Sequence, residues 1–136
     1  MKKKQQFNLK EFLEKAEIPV IPVYIEGNEY YVLVDTGSDA SYLDSQVLKN
    51  ISKILLGQQD EIVGGTAVKE KGSSIYEVEF ACGDKEFKEM FTENDFSGIF
   101  SFIEQTTGIR LSGILGTRFL LKHKCILDFD KLIFYL

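Results

Sequence analysis

The 136-residue chain has few of the residues that metal sites and histidine-dependent catalytic triads use. It contains two cysteines and one histidine. Cys82 and Cys125 do not lie in a CxxC or another zinc-ligand spacing, so both are interpreted as small buried hydrophobic residues. His123 lies between two lysines, and no serine lies in a Gly-x-Ser-x-Gly motif, which argues against a serine hydrolase. The sequence therefore predicts no metal and no cofactor.

The chain also lacks a basic excess and a long apolar run. Its 16 basic and 21 acidic residues give a net charge of -5, whereas a nucleic-acid-binding face needs clustered lysines and arginines. No apolar run approaches the roughly 18 residues of a membrane span. The residues after the three N-terminal lysines are polar where a signal peptide needs an apolar core. We therefore expect a cytoplasmic protein that binds neither nucleic acid nor a membrane.

The clearest secondary-structure signal is a β-hairpin in the first third of the chain. Residues 20–26 and 29–35 are rich in β-branched and aromatic residues, and Gly27-Asn28 has the composition of a tight turn. A hairpin is therefore predicted, and Asp35 ends its second strand.

The remaining elements are predicted to be mostly strands. Strands are predicted at residues 74–81, 86–91, 125–129 and 132–135, helices at 8–16, 96–107 and 119–121, and a loop with a short helix at 42–56. Asn8 is the predicted N-cap of the first helix. The length is that of one domain. We expect a helical extension at residues 1–17 and an all-β domain at residues 18–136 that contains one or two short helices.

One segment carries most of the functional information. It is an apolar strand that ends on an acid, a hydroxyl and a glycine. The segment reads Val32-Leu33-Val34-Asp35-Thr36-Gly37-Ser38-Asp39-Ala40-Ser41. A carboxylate at the end of a buried strand carries a large desolvation cost unless another group shares its charge or its proton. A second apolar run ends in glycine much later in the chain, at Ile114-Leu115-Gly116.

Together the two segments resemble the signature of the retropepsin-like aspartic proteases, in which an apolar strand precedes Asp-Thr-Gly-Ser and a later apolar pair precedes glycine. An isolated Asp-Thr-Gly is usually only a turn after a strand. Here the preceding hairpin, Ser38 and the order of the two segments favour the protease family. The resemblance covers residues 18–136. It implies a closed acid-protease barrel equivalent to one lobe of a pepsin-like enzyme.

The resemblance also implies the chemistry. Aspartic proteases use two carboxylates about 3 Å apart that share one proton, so that one acts as base and the other as acid on a bound water. The chain contains one Asp-Thr-Gly, at Asp35. The second aspartate must then come from another copy, across the axis of a two-fold homodimer. The expected reaction is hydrolysis of a peptide bond in an extended substrate.

Each residue after Asp35 has a role that the resemblance implies. Thr36 would hydrogen-bond across the dimer axis. Gly37 lacks a side chain and can offer its N–H to the carboxylate at close range. Ser38 would donate a hydroxyl hydrogen bond to the ionised carboxylate, which favours an acidic pH optimum. Asp39 stands where the family holds the substrate backbone, although a capping or turn acid is an equal alternative.

Two further segments would complete the site. Gly64 and Gly65 resemble the tip of the flap that covers the substrate, with an ordinary hairpin turn as the alternative. Ile114, Leu115 and Gly116 resemble the strand that supports the catalytic loop from below. The long spacing before this strand is typical of bacterial members of the family.

The sequence departs from the viral members in two places. Arg118 lies two residues after Gly116, whereas the viral arginine that pairs with the acid equivalent to Asp39 follows the glycine directly. The C-terminal segment, residues 126–136, is long enough to form its own hairpin, whereas viral enzymes interleave a single C-terminal strand with the partner. These departures leave three alternatives open: a general endopeptidase, a processing enzyme for one partner protein, and a peptide-binding or dimerisation module with little hydrolysis.

Overall fold

The computed structural model describes residues 3–58, 61–62, 69–70 and 73–136. Strands predominate, and the helices are short. The strands are β1 (Gln6–Asn8), β2 (Val20–Ile25), β3 (Asn28–Val34), β4 (Tyr42–Asp44), β5 (Ile54–Gln58), β6 (Glu61–Ile62), β7 (Lys69–Glu70), β8 (Ser74–Cys82), β9 (Lys85–Asn94), β10 (Leu111–Leu115), β11 (Ile126–Asp128) and β12 (Ile133–Tyr135). The helices are α1 (Lys10–Ala16), α2 (Ser45–Leu48), α3 (Ser97–Thr107) and α4 (Thr117–Lys122).

Six strands form a closed barrel. Their order is β2-β3-β10-β4-β9-β8, and β2 also pairs with β8 at Tyr24 and Ala81, which closes the ring. Strand β10 lies parallel to β3 and antiparallel to β4, so it is inserted between two segments that are close in sequence. Leu115 of β10 lies beside Val34, the last residue of β3. The ends of β3 and β10 therefore meet at one rim of the barrel.

The apolar strand β3 is covered on both faces, as its composition predicts. Because side chains alternate along a strand, Val32 and Val34 point into the barrel core. Leu33 points the other way and, with Ile114, packs against a second core that includes Phe100 of α3. Helix α3 thus covers the outer face of β3 and β10.

A small second sheet involves both terminal segments. Its order is β1-β12-β11, with Phe7 opposite Phe134 and Leu127 opposite Phe134 on the other side. Phe134 is completely buried and belongs to the same core as the barrel. The predicted C-terminal hairpin is confirmed, and its last strand is paired on both edges within the chain.

Several boundaries differ from the sequence-based predictions. The first helix begins at Lys10 rather than at 8, because Asn8 lies in β1; its side chain still accepts a hydrogen bond from the Lys10 N–H. The first hairpin turns at Glu26-Gly27, one residue earlier than predicted, and both residues have the positive φ that a two-residue type I′ turn requires. The described part of residues 18–136 contains three short helices, α2, α3 and α4, where one or two were predicted.

The most consequential error concerns the segment at 42–56. The predicted short helix is present as α2, but the segment also contains β4, a strand of the barrel, and the start of β5. Strand β4 has only three residues, which is too short for an alternation of apolar and polar residues to be recognised in the sequence. Its pairing with β9 and β10 defines it as a strand.

The two cysteines are free thiols with different exposure. Cys82 is buried in the barrel, where its Sγ donates to the Pro22 carbonyl, and burial raises its pKa to about 12. Cys125 is half-buried rather than buried as predicted, and burial raises its pKa to about 11. Thiolates are the nucleophilic form of cysteine, so neither thiol is suited to nucleophilic catalysis. Within the described residues, no helix is both long and apolar enough to cross a membrane.

Candidate active site

Asp35 lies directly after β3, at the rim where β3 and β10 end. Its N–H donates to the Leu115 carbonyl at 3.0 Å, which extends the β3–β10 pairing by one residue. Its Oδ1 accepts a hydrogen bond from the Gly37 N–H at 2.8 Å. Asp35 is half-exposed, and Thr36 and Gly37 are exposed. The carboxylate is therefore held by the loop and is accessible from outside the barrel.

Gly116 allows the chain to pass directly beneath this loop. A Cβ added at Gly116 would lie 2.2 Å from the Ala40 carbonyl oxygen and 2.8 Å from that of Ser38. These are backbone atoms, which cannot move aside as a flexible side chain could. The Gly116 N–H donates to the buried Ser41 Oγ at 3.0 Å. Any residue with a side chain at position 116 would therefore displace residues 38–40.

Helix α4 fixes the loop through the free N–H groups of its first turn. The first N–H groups of a helix have no partner within the helix. Here the Thr117 N–H donates to the Ser38 carbonyl at 2.7 Å and the Arg118 N–H donates to the Asp39 carbonyl at 3.0 Å. The Thr117 hydroxyl adds contacts to the carbonyls of Thr36 at 3.1 Å and Ser38 at 3.0 Å. The loop is thus bonded from below at three carbonyl groups, those of Thr36, Ser38 and Asp39.

Thr117 and Ser41 were not singled out from the sequence. Thr117 directly follows Gly116 at a helix start, where hydroxyl side chains often bond to nearby backbone. This position in the sequence could have indicated that the Thr117 hydroxyl bonds to nearby backbone. Ser41 has no comparable signal, because its partner Gly116 lies 75 residues away.

Ser38 does not have the contact that the resemblance implied. Its Oγ donates to the Ala40 carbonyl at 2.8 Å rather than to the Asp35 carboxylate. The hydroxyl stabilises the local turn, as serine hydroxyls commonly do. It therefore gives no reason to expect an acidic optimum.

Asp39 is exposed and faces Arg118. Its Oδ1 accepts from the Ala40 N–H at 2.8 Å, as in the turn alternative, and its Oδ2 lies 3.9 Å from Arg118 Nη2. Arg118 therefore reaches Asp39 although it lies one residue later than the viral arginine. The shift is accommodated because Arg118 is in the first turn of α4, directly over the Asp39 carbonyl.

A groove of about 580 Å³ opens beside Asp39. It lies between the loop after Asp35, the outer part of β9 and helix α4. It is lined by Asp39, Ala40, Ser41, Tyr42, Gln58, Ile75, Glu89, Met90, Thr92, Arg118, Phe119 and Lys122. Its wall is partly apolar, and its charged residues come from three distant parts of the chain.

Glu89 is the best-bonded acid of this groove. Lys122 Nζ lies 3.1 Å from both of its carboxylate oxygens, and His123 Nε2 lies 2.6 Å from Oε1. His123 is the C-cap residue of α4 and is half-buried against the rings of Phe87 and Phe119. Glu89 and His123 lie 34 residues apart, so the sequence gives no sign of their contact.

The predicted flap tip, Gly64 and Gly65, lies outside the described residues. The strands on either side of it are described. Strand β5 pairs with β8, and β6 pairs with β7, both antiparallel. Gln58 of β5 and Ile75 of β8 line the groove beside Asp39. The Gln58 end of β5 and the Ile75 end of β8 therefore lie beside the groove.

The comparisons with known proteins add no assignment. No protein-family model matches the chain, and no curated protein matches its sequence significantly.

Proposed function

We propose that this chain is a retropepsin-like aspartic endopeptidase that is active as a homodimer. The observation that carries the proposal is the position of Asp35, an accessible carboxylate on a loop that donates to the Leu115 carbonyl and accepts from the N–H and hydroxyl of Thr117. A general acid or base needs such fixed placement relative to its substrate. The closed barrel and the passage of Gly116 beneath the loop agree with the acid-protease barrel that the two sequence motifs imply.

The proposed active site needs two copies of the chain. One carboxylate cannot serve as base and acid at the same moment. The loop exposes Thr36 and Gly37 at the barrel rim, so a second copy can approach the Asp35 carboxylate there. A two-fold axis through this rim would place each Asp35 beside its symmetry mate, because such an axis brings a surface against itself.

In the proposed reaction, the two carboxylates hold one proton between them and position one water molecule. The ionised carboxylate removes a proton from this water as its oxygen bonds to the scissile carbonyl carbon, and the protonated carboxyl gives its proton to the carbonyl oxygen. The tetrahedral intermediate then collapses: the carboxyl that took the water's proton gives it to the nitrogen, the C–N bond breaks and the amine leaves. The other carboxylate takes a hydroxyl proton from the intermediate as the new carboxylic acid forms, so the pair again holds one proton. The Gly37 N–H, 2.8 Å from Asp35 Oδ1, fixes the carboxylate orientation throughout.

The direct test replaces Asp35 with Asn. The wild-type chain should cleave extended peptides, and Asp35→Asn should lose cleavage while its circular dichroism and its unfolding midpoint stay close to wild type. Val34 packs in the core beside this position and is unchanged, so folding should be preserved. Cleavage that persists in Asp35→Asn would exclude Asp35 as the catalytic acid.

Mixing the two chains tests the sharing of the site. If each active site takes one Asp35 from each copy, a dimer with one Asn is inactive. After subunit exchange in a ninefold excess of Asp35→Asn, about a tenth of the wild-type chains should have a wild-type partner, and activity per wild-type chain should fall in proportion. The same excess of Lys88→Gln, a change on the exposed face of β9, is the control and should leave activity undiminished. Undiminished activity in the Asp35→Asn mixture would contradict a shared site.

A second candidate function is a peptide-binding or dimerisation module without hydrolysis. The observation that favours it is the pairing of β12, which has β1 on one edge and β11 on the other within one chain. This strand is not free to interleave with a partner as in the viral dimers. A crystal structure of a dimer separates the two candidates: Asp35 carboxylates within hydrogen-bonding range of each other support the enzyme, and carboxylates apart in solvent support the module.

A further inference from the structure

The charged side chains of the groove beside Asp39 differ in how fully they are bonded. Glu89 is only 14% exposed, and its oxygens contact both Lys122 and His123. The negative charge of Glu89 is therefore largely balanced by contacts within the protein. A ligand entering the groove would gain little from Glu89, because it would have to displace these closer partners.

Arg118, in contrast to Glu89, is exposed and weakly bonded. Its side chain is 66% exposed, and in the part of the chain that the structure describes its guanidinium makes no hydrogen bond. Its nearest acid oxygen, Asp39 Oδ2, is 3.9 Å away, and Asp39 is itself 86% exposed. Exposed ion pairs of this kind contribute little free energy. A second carboxylate could therefore take the place of this contact at small cost.

The groove also places Arg118 where a ligand side chain would arrive. Its apolar wall includes Tyr42, Ile75 and Met90, and Arg118 and Lys122 stand on the α4 side. A guanidinium offers a planar fork of N–H donors that matches a carboxylate with two parallel hydrogen bonds. A basic ligand side chain would instead meet two cations and only one loosely bonded acid, Asp39.

We propose that Arg118 makes this groove a subsite for an acidic residue, so that the protein selects extended peptides with Glu or Asp at one position near the cleaved bond. The inference rests on the proposed peptidase function, because it takes the groove beside the Asp35 loop as part of the substrate channel. Arg118 is a specificity-determining residue in this proposal and takes no part in proton transfer.

The test uses fluorescein-labelled extended peptides made of apolar residues. The two peptides of each pair differ only by Glu or Gln at one position, and this position is moved along the peptide from pair to pair. Binding is measured by fluorescence anisotropy with Asp35→Asn, because this variant should not cleave the peptide. Cleavage is measured with the wild-type chain. At one position Glu should bind about five- to tenfold more tightly than Gln, as expected for a charge-assisted pair. The preference should weaken as salt is raised.

Variants of Arg118 then assign the preference. Arg118→Gln should abolish the Glu preference, and Arg118→Glu should make the same position prefer Lys over Gln. Both variants should fold, because the Arg118 contact that holds the loop is made by its backbone N–H. The matched control is Lys88→Gln, which removes a different exposed ion pair, that of Lys88 with Glu79, in a different groove. It should keep the wild-type preference.

The outcomes separate this inference from the function on which it rests. Cleavage that depends on Asp35 but is equal for Glu and Gln peptides at every position would overturn the subsite and leave the peptidase intact. A Glu preference in binding that Arg118→Gln removes, without any cleavage by the wild-type chain, would overturn the peptidase and support the subsite. A Glu preference that survives in Arg118→Gln would overturn the role of Arg118.

Discussion

The Asp35 loop and the terminal sheet lie in the same small protein but are held in different ways. The loop between Asp35 and Ser41 is fixed by hydrogen bonds to backbone groups of β10 and α4 and by the close passage of Gly116. The terminal sheet of β1, β12 and β11 is fixed mainly by buried side chains, above all Phe134, which shares the barrel core.

This difference predicts different responses to mutation. Burial energy depends on the area and volume that are filled, so it changes the stability of the whole domain. Backbone hydrogen bonds in the loop contribute less free energy each, but they set the position of the Asp35 carboxylate. Changes in the terminal sheet should therefore act mainly on stability, and changes under the loop should act mainly on activity.

The largest change in stability is expected for Phe134→Ala. Phe134 is completely buried beside Phe7, with ring centroids 6.3 Å apart. Removing the ring should lower the free energy of unfolding by about 3–5 kcal/mol, because it leaves a cavity. Urea unfolding measures the loss, and cleavage per folded molecule should be close to wild type. Phe129→Ala, at an exposed aromatic residue in the same hairpin, is the control. A selective loss of activity in Phe134→Ala would show that the two regions are coupled.

Gly116→Ala should destabilise the protein by about 1–3 kcal/mol and also remove most activity, because the added methyl group overlaps backbone atoms of the loop. The matched control is Gly98→Ala. A Cβ at Gly98 in α3 meets no atom within 4 Å, and alanine there should stabilise the helix by up to about 1 kcal/mol. Urea unfolding and peptide cleavage are measured for both. Equal behaviour of the two variants would contradict the close packing under the loop.

Thr117→Val should have the smallest effect on stability, about 1 kcal/mol, because it removes one hydroxyl that bonds to Thr36 and Ser38. Its effect on cleavage should be larger, about tenfold or more, since small displacements of a catalytic group slow the reaction strongly. Thr106→Val removes a hydroxyl that bonds only within α3 and controls for the substitution itself. If the two variants cleave at the same rate, the loop does not depend on Thr117.

Much of the fold near Asp35 could be predicted because it is encoded locally. The β-branched and aromatic residues and the turn composition within residues 20–35 predict the hairpin to within a residue, and Asp35 follows its second strand. The strands predicted at residues 74–81 and 86–91 and the C-terminal hairpin are equally local, and both pairs are present. Short-range signals suffice here because each strand pairs with the next strand along the chain.

The features that could not be predicted depend on distant pairing. Strand β4 has three residues and is defined by β9 and β10, which lie far along the sequence. The Ser38 hydroxyl had two nearby acceptors, and only the folded loop selects the Ala40 carbonyl. The contact of Glu89 with His123 arises because α4 packs against β9.

The sequence by itself determined where an acid ends an apolar strand, where glycines permit turns and close approach, and that the chain is mostly β. These properties depend on residue type and on neighbours along the chain. The tertiary structure decided which backbone groups hold the Asp35 loop and that β12 is paired within its own chain. It also decided that Arg118 lines a groove and that its nearest acid oxygen is 3.9 Å away. The Thr117 contacts to the loop join residues 79 and 81 positions apart, and the pairing of β1 with β12 sets Phe7 against Phe134, so these properties arise only when distant segments meet in the folded chain.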